Sequence, residues 1–290
     1  MIAFLKHIVL VVVILILSAV GLDKIYSYLL IIPGSDSPLK EAFSYSNQEW
    51  DLVFFGSSRV VNNIDCDLIT ELTGKSCLNM GAMGSTSKLD AFLFETLLSN
   101  QNTIKEAFFQ VDYKYNDLSI GSQFKADLIP YSGRKLVDQH LEEERENIWL
   151  WNTPFYRYAI HDKVIGIRKV LIPVLGFFGR DSKNGYRPLN GESVLINVSL
   201  PKSYKKNSNS DLYIIAKGDN SVNLNYFTAP FCKDIENREE IEVLASFYNN
   251  YINYTKIYDD KQEYFNDCLH LNSAGASSFS KLLAEEIKSN

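Results

Sequence analysis

Hydrophobic and polar positions in the first half of the chain alternate in blocks that predict strands separated by helices. Short apolar runs that end at turn residues are typical of buried strands. The runs of this kind are 51–56, 76–80 and 106–111. Between them, apolar residues recur every three to four positions, which predicts helices over 58–73 and 86–100.

The same pattern resumes near the C-terminus. Apolar runs predict a fourth strand at 222–231 and a short fifth strand at 254–258, with helices at 236–250 and 275–288. Strands that alternate with crossover helices form parallel sheets covered on both faces. The pattern therefore predicts an α/β domain with a five-stranded parallel sheet.

Residues 117–220 interrupt this alternation and predict a mostly helical insertion, with an amphipathic helix around Tyr156 to Val174. The insertion is rich in large side chains: Trp149, Trp151, Tyr156, Tyr158, Phe177, Phe178, Tyr186 and Arg187. Aromatic residues at this density either line a groove for a sugar or acyl group or pack a small core of the insertion itself. Both interpretations stay open.

The N-terminus is apolar enough to enter a membrane. Ile8 to Leu22 carries no charge and follows Lys6 and His7. With Met1 to Leu5, and with Lys6 reaching the headgroups, the stretch is long enough to cross. We predict a retained single-pass anchor and stalk at 1–33 in the cytoplasmic membrane; cleavage after a small-residue site at 19–21 is the alternative.

The positive N-terminus predicts that the anchor starts in the cytoplasm and that residues 34–290 lie outside it. About 255 residues suit one domain that contains the insertion. The net charge of −6 and the absence of basic clusters argue against a nucleic-acid partner. No His/Cys cluster has metal-ligand spacing and no glycine-rich phosphate loop occurs, so neither a metal nor a cofactor is predicted.

Two short motifs carry candidate chemistry. The first strand ends in Gly56-Ser57-Ser58, which places a serine at a strand-to-helix turn on the carboxyl edge of the sheet. The second motif is Asp267-Cys-Leu-His270, in which the carboxylate can bind the Nδ1–H of the ring and leave Nε2 free to accept a proton. Together they predict a Ser-His-Asp triad.

These motifs resemble those of the SGNH/GDSL hydrolases. Gly56-Ser57-Ser58 matches the Gly-Asp-Ser block with Ser57 in the place of the aspartate, and Asp267 and His270 match the Asp-x-x-His block. The resemblance implies that Ser58 is the nucleophile, His270 the general base and Asp267 its partner. It also implies a flavodoxin-like three-layer sandwich with strand order 2-1-3-4-5.

The family's other two blocks supply donors for an oxyanion hole. The stretch 77–84, with Gly81 and Gly84, fits the second block. The third block, Gly-x-Asn-Asp, departs from the family pattern, since 112–117 reads Asp-Tyr-Lys-Tyr-Asn-Asp. The resemblance thus implies an oxyanion hole made by the N–H of Ser58, by Gly81 or Gly84, and by Asn116. The matching blocks cover 50–116 and 222–288.

The predicted function is that of a membrane-anchored serine acyl-ester enzyme. Anchored members of this family O-acylate, commonly O-acetylate, cell-envelope polysaccharides beside a polytopic membrane acyltransferase, and the resemblance implies such a substrate and partner. Whether the chain is a transferase or an esterase stays open. The alternative is a catalytically inactive anchored scaffold or polymer-binding protein of the same fold.

Two further features have more than one interpretation. Four cysteines outside the cytoplasm can pair, and Cys232–Cys268 is the bridge we expect because both lie at the carboxyl edge of the sheet; free buried thiols are the alternative. Arg59 is either a solvent-exposed residue of the helix face or a contact to an anionic group of the substrate.

Overall fold

A computed structural model of the chain describes residues 2–31, 37–116, 118–143, 146–160, 183–191, 198–208, 210, 212, 215 and 221–289. They form two compact units. The smaller contains the described parts of 1–40 and 121–181, and the larger contains those of 41–120 and 182–290. The region predicted as one insertion, 117–220, therefore contributes to both units.

The larger unit is an α/β fold built on a parallel sheet. Its strands are β1 Glu49–Phe55, β2 Cys77–Asn79, β3 Thr103–Gln110, β4 Asn223–Thr228 and β5 Tyr251–Asn253. All neighbouring pairs run parallel, in the order β2-β1-β3-β4-β5. The α/β class and this strand order confirm the prediction.

Helices make up most of the remaining regular structure in both units. In chain order, the α-helices are α1 Ile2–Ile31, α2 Pro38–Ser44, α3 Ser58–Val61, α4 Cys66–Thr73, α5 Ser87–Ser99, α6 Ser122–Leu128, α7 Lys135–Glu143, α8 Ile148–Asn152, α9 Tyr156–Ala159 and α10 Ser273–Ser289. Short 3₁₀ helices occupy Ile129–Tyr131, Lys183–Gly185, Arg238–Ser246 and Gln262–Tyr264.

Helices cover both faces of the sheet. Neighbouring residues of a strand point to opposite faces, so each strand contacts helices on both sides. Phe55 of β1 meets Phe94 of α5 edge-on, with ring centroids 5.8 Å apart. On the opposite face of the sheet, aromatic contacts run from Phe54 through Phe227 and one intervening tyrosine to Phe279 of α10. The central strands are therefore buried on both sides, which explains their nearly continuous apolar sequences.

The prediction of one continuous helix over 58–73 is wrong. This stretch forms two helices, α3 and α4, joined by a turn in which Asp65 accepts a hydrogen bond from the N–H of Leu68 and caps α4. An aspartate in this position satisfies a backbone donor that has no partner within the helix. The short α3, which begins at Ser58, ends at Val61.

Two predictions around the last strands are also wrong in detail. The strand predicted at 254–258 lies at β5 instead, because the side chain of Asn253 accepts a hydrogen bond from the N–H of Thr255 and turns the chain. The helix predicted over 236–250 is the 3₁₀ helix Arg238–Ser246. Its buried residues, Arg238, Ile241 and Leu244, recur every third position, and a 3₁₀ helix aligns that spacing on one face.

In the smaller unit, α1 is 30 residues long with a mean hydropathy of 2.7 in its most apolar window, long and apolar enough to cross a membrane. A signal sequence shares these properties. The amphipathic helix predicted around 156–174 is described only as far as α9. The rest of it, together with Phe177 and Phe178, lies outside the described residues.

Candidate active site

The serine motif lies where β1 turns into α3. Gly56 has φ +155°, and a Cβ there would lie 2.5 Å from Val60 Cγ2 and 2.6 Å from Gln110 Cβ, so only glycine fits. Ser57 precedes α3 and accepts a hydrogen bond from the N–H of Arg59 at 3.3 Å. Ser58 is the first residue of α3, and its N–H has no acceptor among the described residues.

Asp267 and His270 form a tight turn just before α10. The N–H groups of Leu269 and His270 donate to Asp267 Oδ1 at 2.8 and 2.9 Å, which fixes the carboxylate. Both carboxylate oxygens lie 2.9 Å from His270 Nδ1. The other ring nitrogen, Nε2, lies 2.7 Å from Ser58 Oγ. The fold thus brings the three side chains into one hydrogen-bonded series across more than 200 residues of sequence.

The charge on Asp267 favours this arrangement. Burial alone would raise the pKa of its carboxyl, but hydrogen bonds from His270 and from two backbone N–H groups outweigh burial and hold the pKa below its usual value. An ionised Asp267 keeps the proton of the ring on Nδ1, which leaves Nε2 as an acceptor for the Ser58 hydroxyl.

Arg59 behind the site has neither of the two predicted roles. Its side chain is 1% exposed, so both the solvent-exposed position and the direct contact to substrate are wrong. The guanidinium binds Asp112 Oδ2 at 3.0 Å, and its face lies 3.4 Å from the centroid of the Phe231 ring. Burial lowers the pKa of Arg59, and the Asp112 carboxylate opposes that effect.

Arg59 also holds two loops at the carboxyl edge of the sheet. Its Nε donates to the carbonyl of Leu269, within the Asp267–His270 turn, at 3.0 Å. Its Nη2 donates to the carbonyls of Ala229 and Pro230 at 2.5 and 2.8 Å. These contacts draw the chain away from the sheet after Thr228, which is why β4 is shorter than the predicted 222–231. Arg59 is therefore a positioning residue for the Asp267–His270 turn.

A second polar chain connects Ser57 to the same arginine. Gln110 Oε1 accepts hydrogen bonds from the N–H and the hydroxyl of Ser57 at 3.0 and 2.9 Å, and Gln110 Nε2 donates to Asp112. Asp112 in turn binds Arg59. The turn after β1 is thereby connected to the end of β3, and such hydrogen-bonded polar networks rigidify the groups they connect.

Asp90 of α5 is buried close to this network. Its Oδ1 accepts a hydrogen bond from Ser85 Oγ at 2.5 Å. Burial raises the pKa of Asp90 to about 8, against the lowering effect of that hydrogen bond, and the charge of Asp112 raises it further. Asp90 is therefore protonated at neutral pH while Asp112 pairs with Arg59.

Two disulfides brace the larger unit. Cys232 and Cys268 are bonded, as expected, and connect the segment after β4 to the Asp267–His270 turn. Cys66 and Cys77, the other possible pair, form a second bond between the start of α4 and the start of β2. Only the first of these joins the loop that carries the histidine.

Two of the predicted oxyanion donors, Gly81 and Asn116, have other partners in this structure. The N–H of Gly81 donates to Asn79 Oδ1 at 3.0 Å, and Asn116 Nδ2 donates to the carbonyl of Lys205 at 2.9 Å. Gly84 occupies a turn closed by a hydrogen bond from the N–H of Ser85 to the carbonyl of Ala82, and its φ of +77° suits glycine. The roles given to these residues stay predictions.

Part of the predicted insertion packs beside α3. The N–H of Arg187 donates to the carbonyl of Val61 at 2.8 Å, and Gly185 lies so close to the backbone of Asn79 that no side chain fits there. Of the predicted aromatic residues, Trp151 and Tyr158 are buried in the smaller unit, whereas Trp149 and Tyr156 are exposed.

Comparison with known proteins adds little to this geometry. No protein-family model matches the chain, and no curated protein matches it. A solved structure from Streptococcus pneumonia, which carries the provisional name platelet activating factor, is similar with 16% identity and a TM-score of 0.32, over 97% of this chain and 99% of that one. A likeness at that level supports no statement about function.

Three residues of the site, Gln110, Asp112 and Asp90, were given no role by the motifs that predicted it. A signal for the first two was present, since both are polar residues at the carboxyl end of an otherwise apolar strand. Asp90 had no such signal, because a single acidic residue in the first turn of a helix is ordinary. Among the described residues, no group of three or more His, Cys, Asp or Glu side chains is placed to hold a metal ion.

Proposed function

We propose that the chain is a membrane-anchored serine acyl-ester enzyme of the SGNH type. The observation that carries the proposal is the series Asp267–His270–Ser58, with Nε2 2.7 Å from Oγ and Nδ1 2.9 Å from both carboxylate oxygens. A nucleophile in contact with a base, which is itself oriented by a third group, is the arrangement that activates serine.

The reaction starts with attack of Ser58 Oγ on an ester carbonyl as His270 Nε2 takes the hydroxyl proton. The tetrahedral intermediate collapses when His270 returns that proton to the leaving alcohol, and an acyl-serine remains. Water or a second hydroxyl then attacks the acyl group, again with His270 as base. The Ser58 N–H, at the start of α3, is the donor we assign to the oxyanion; Gly81, Gly84 and Asn116 are the further candidates.

The substrate we propose is an acylated, most simply an acetylated, polysaccharide of the cell envelope. Its support is the resemblance of the serine and histidine motifs to anchored SGNH proteins, together with α1, which is long and apolar enough to hold the chain in a membrane. In that role a polytopic acyltransferase would supply the acyl group and a sugar hydroxyl would receive it. Hydrolysis by water is the esterase form of the same chemistry.

The test is turnover of an aryl acetate by the full chain in detergent. Ser58→Ala and His270→Ala should each remove nearly all activity, and the double variant should be hardly worse, because the three residues act as a unit. Asp267→Asn should be impaired with the fold intact. Ser57→Ala is the matched control and should cost at most about 1 kcal/mol of stability as a lost helix cap. Full activity in His270→Ala would end this proposal.

One set of observations favours the inactive scaffold as the second candidate. The N–H of Gly81 is bound by Asn79 and the side chain of Asn116 by Lys205, so two predicted oxyanion donors are engaged elsewhere. A folded wild-type chain that turns over no aryl ester, and whose Ser58→Ala variant behaves identically, would support the scaffold.

A further inference from the structure

The smaller unit contains an almost uncharged segment with exposed apolar side chains. We call residues 147–160, which contain α8 and α9, the interfacial segment. Arg157 is its only charged residue. Among its side chains that the structure describes, the large apolar ones that are exposed are Trp149 (81% exposed), Leu150 (37%), Tyr156 (47%) and Ile160 (40%). Soluble surfaces seldom combine so many exposed apolar groups with so little charge.

The single charge of the segment is used to attach it to α1. Arg157 forms a two-pronged ion pair with Asp23, at 2.8 Å from Nε to Oδ1 and 2.7 Å from Nη2 to Oδ2. The N–H of Phe155 donates to the same carboxylate at 2.8 Å. Both members of the ion pair are largely shielded from solvent.

Aromatic contacts extend this attachment along α1. The ring of Tyr26 meets Phe155 and Tyr158 at centroid distances of 5.3 and 5.5 Å, and the hydroxyls of Ser27 and Tyr158 lie 2.6 Å apart. Together with Asp23 and the buried Leu30, Tyr26 and Ser27 follow the i, i+3, i+4, i+7 spacing of one helix face. Protein therefore covers one face of α1 from Asp23 onward.

The covered face begins where the apolar part of α1 ends. Asp23 is the first acidic residue of α1, and nearly all residues from Ile2 to Leu22 are exposed. At 1.5 Å per residue they span about 30 Å, the thickness of the hydrocarbon core of a bilayer. The lipid boundary thus falls near Asp23, and Tyr26 lies only about 5 Å beyond it along the axis.

We propose that the exposed apolar side chains of the interfacial segment lie in the headgroup layer of the membrane leaflet from which α1 emerges. The layer is about 5–7 Å deep on each side of the hydrocarbon, which matches the position of the segment on α1. Tryptophan and tyrosine prefer this layer because their rings are apolar and their tips are polar. The inference rests on the membrane anchoring in the proposed function, and is independent of the ester chemistry.

The experiment uses the full chain in phosphatidylcholine vesicles in which some lipids carry bromine, a contact quencher of tryptophan fluorescence. The emission of Trp149, obtained as wild type minus Trp149→Phe, should be strongly quenched by bromine near the top of the acyl chains and less by bromine near their ends. Trp50→Phe, which alters a residue of β1, is the matched control and should keep the quenching. Adding Tyr156→Trp to the Trp149→Phe variant should restore the quenching.

Equal quenching of wild type and Trp149→Phe would overturn the proposal, since another tryptophan would then be the one in lipid. Absence of quenching in wild type would also overturn it, because the segment would then face water or await a protein partner that pure lipid lacks. Ser58→Ala should be quenched like wild type. Failure of the enzyme proposal and failure of this one are therefore distinguishable.

Discussion

At the scale of single residues, two carboxyl groups near the site, those of Asp112 and Asp90, have different surroundings. Asp112 is paired with a buried guanidinium, whereas Asp90 accepts a hydrogen bond from a serine hydroxyl and its burial raises its pKa to about 8. Asp90 therefore keeps its proton at neutral pH, whereas Asp112 forms an ion pair with Arg59. Protonated Asp90 spares the region a second buried negative charge, which would repel Asp112.

The raised pKa of Asp90 predicts a dependence of stability on pH. Unfolded Asp90 loses its proton near pH 4 but the folded residue keeps it to about pH 8, so the folded state binds more protons in between. This contribution is complete below pH 4 and is lost as pH rises through about 8, with a slope of at most about 1.4 kcal/mol per pH unit. Asp90→Asn should thus gain stability relative to wild type between pH 6 and 8, measured as the midpoint of denaturant unfolding.

Asp51→Asn is the control for that measurement. Hydrogen bonds from Lys105 and Ser76 lower the pKa of Asp51, so its contribution is already complete above pH 5 and is lost only as pH falls further. The difference between Asp51→Asn and wild type should stay constant from pH 6 to 8. A constant difference for Asp90→Asn as well would show that Asp90 is ionised in the folded protein.

Among the elements, the two disulfides have different consequences. Cys66–Cys77 and Cys232–Cys268 close loops of 11 and 36 residues, and the chain-entropy model gives each about 3–4 kcal/mol of stability. Replacing either pair by alanines should lower the unfolding midpoint by similar amounts. At temperatures where both variants are folded, loss of Cys232–Cys268 should reduce aryl acetate turnover and loss of Cys66–Cys77 should not. The reason is that only Cys232–Cys268 is bonded to the Asp267–His270 turn. Equal turnover in both variants would contradict this role.

The elements also show what the sequence could predict. The parallel sheet and the meeting of Ser58 with His270 followed from apolar runs and two motifs, because parallel strands bring their carboxyl ends to one edge. The strand order followed from the resemblance to the SGNH/GDSL hydrolases. The break between α3 and α4 depends on a single capping aspartate, Asp65. The buried position of Arg59 depends on three carbonyl groups and one carboxylate that come together only in the folded chain. Such long-range contacts leave no periodic trace in the sequence.

For the molecule in its cell, the orientation of α1 would decide the compartment in which the proposed ester chemistry takes place. We expect a reporter active only outside the cytoplasm to work when fused after residue 40, because positive charge precedes the apolar stretch. The mature protein should keep Met1. A mature N-terminus at Leu22 would mean cleavage, and would remove the anchor without changing the compartment.

The proposal that Ser58 is an activated nucleophile can be tested without knowing the substrate, by mapping a fluorophosphonate adduct on the full chain. We predict one modified serine, Ser58, with the adduct absent in Ser58→Ala, strongly reduced in His270→Ala and retained in Ser57→Ala. A folded wild-type chain that stays unmodified, or an adduct on Ser57 that persists in Ser58→Ala, would contradict it.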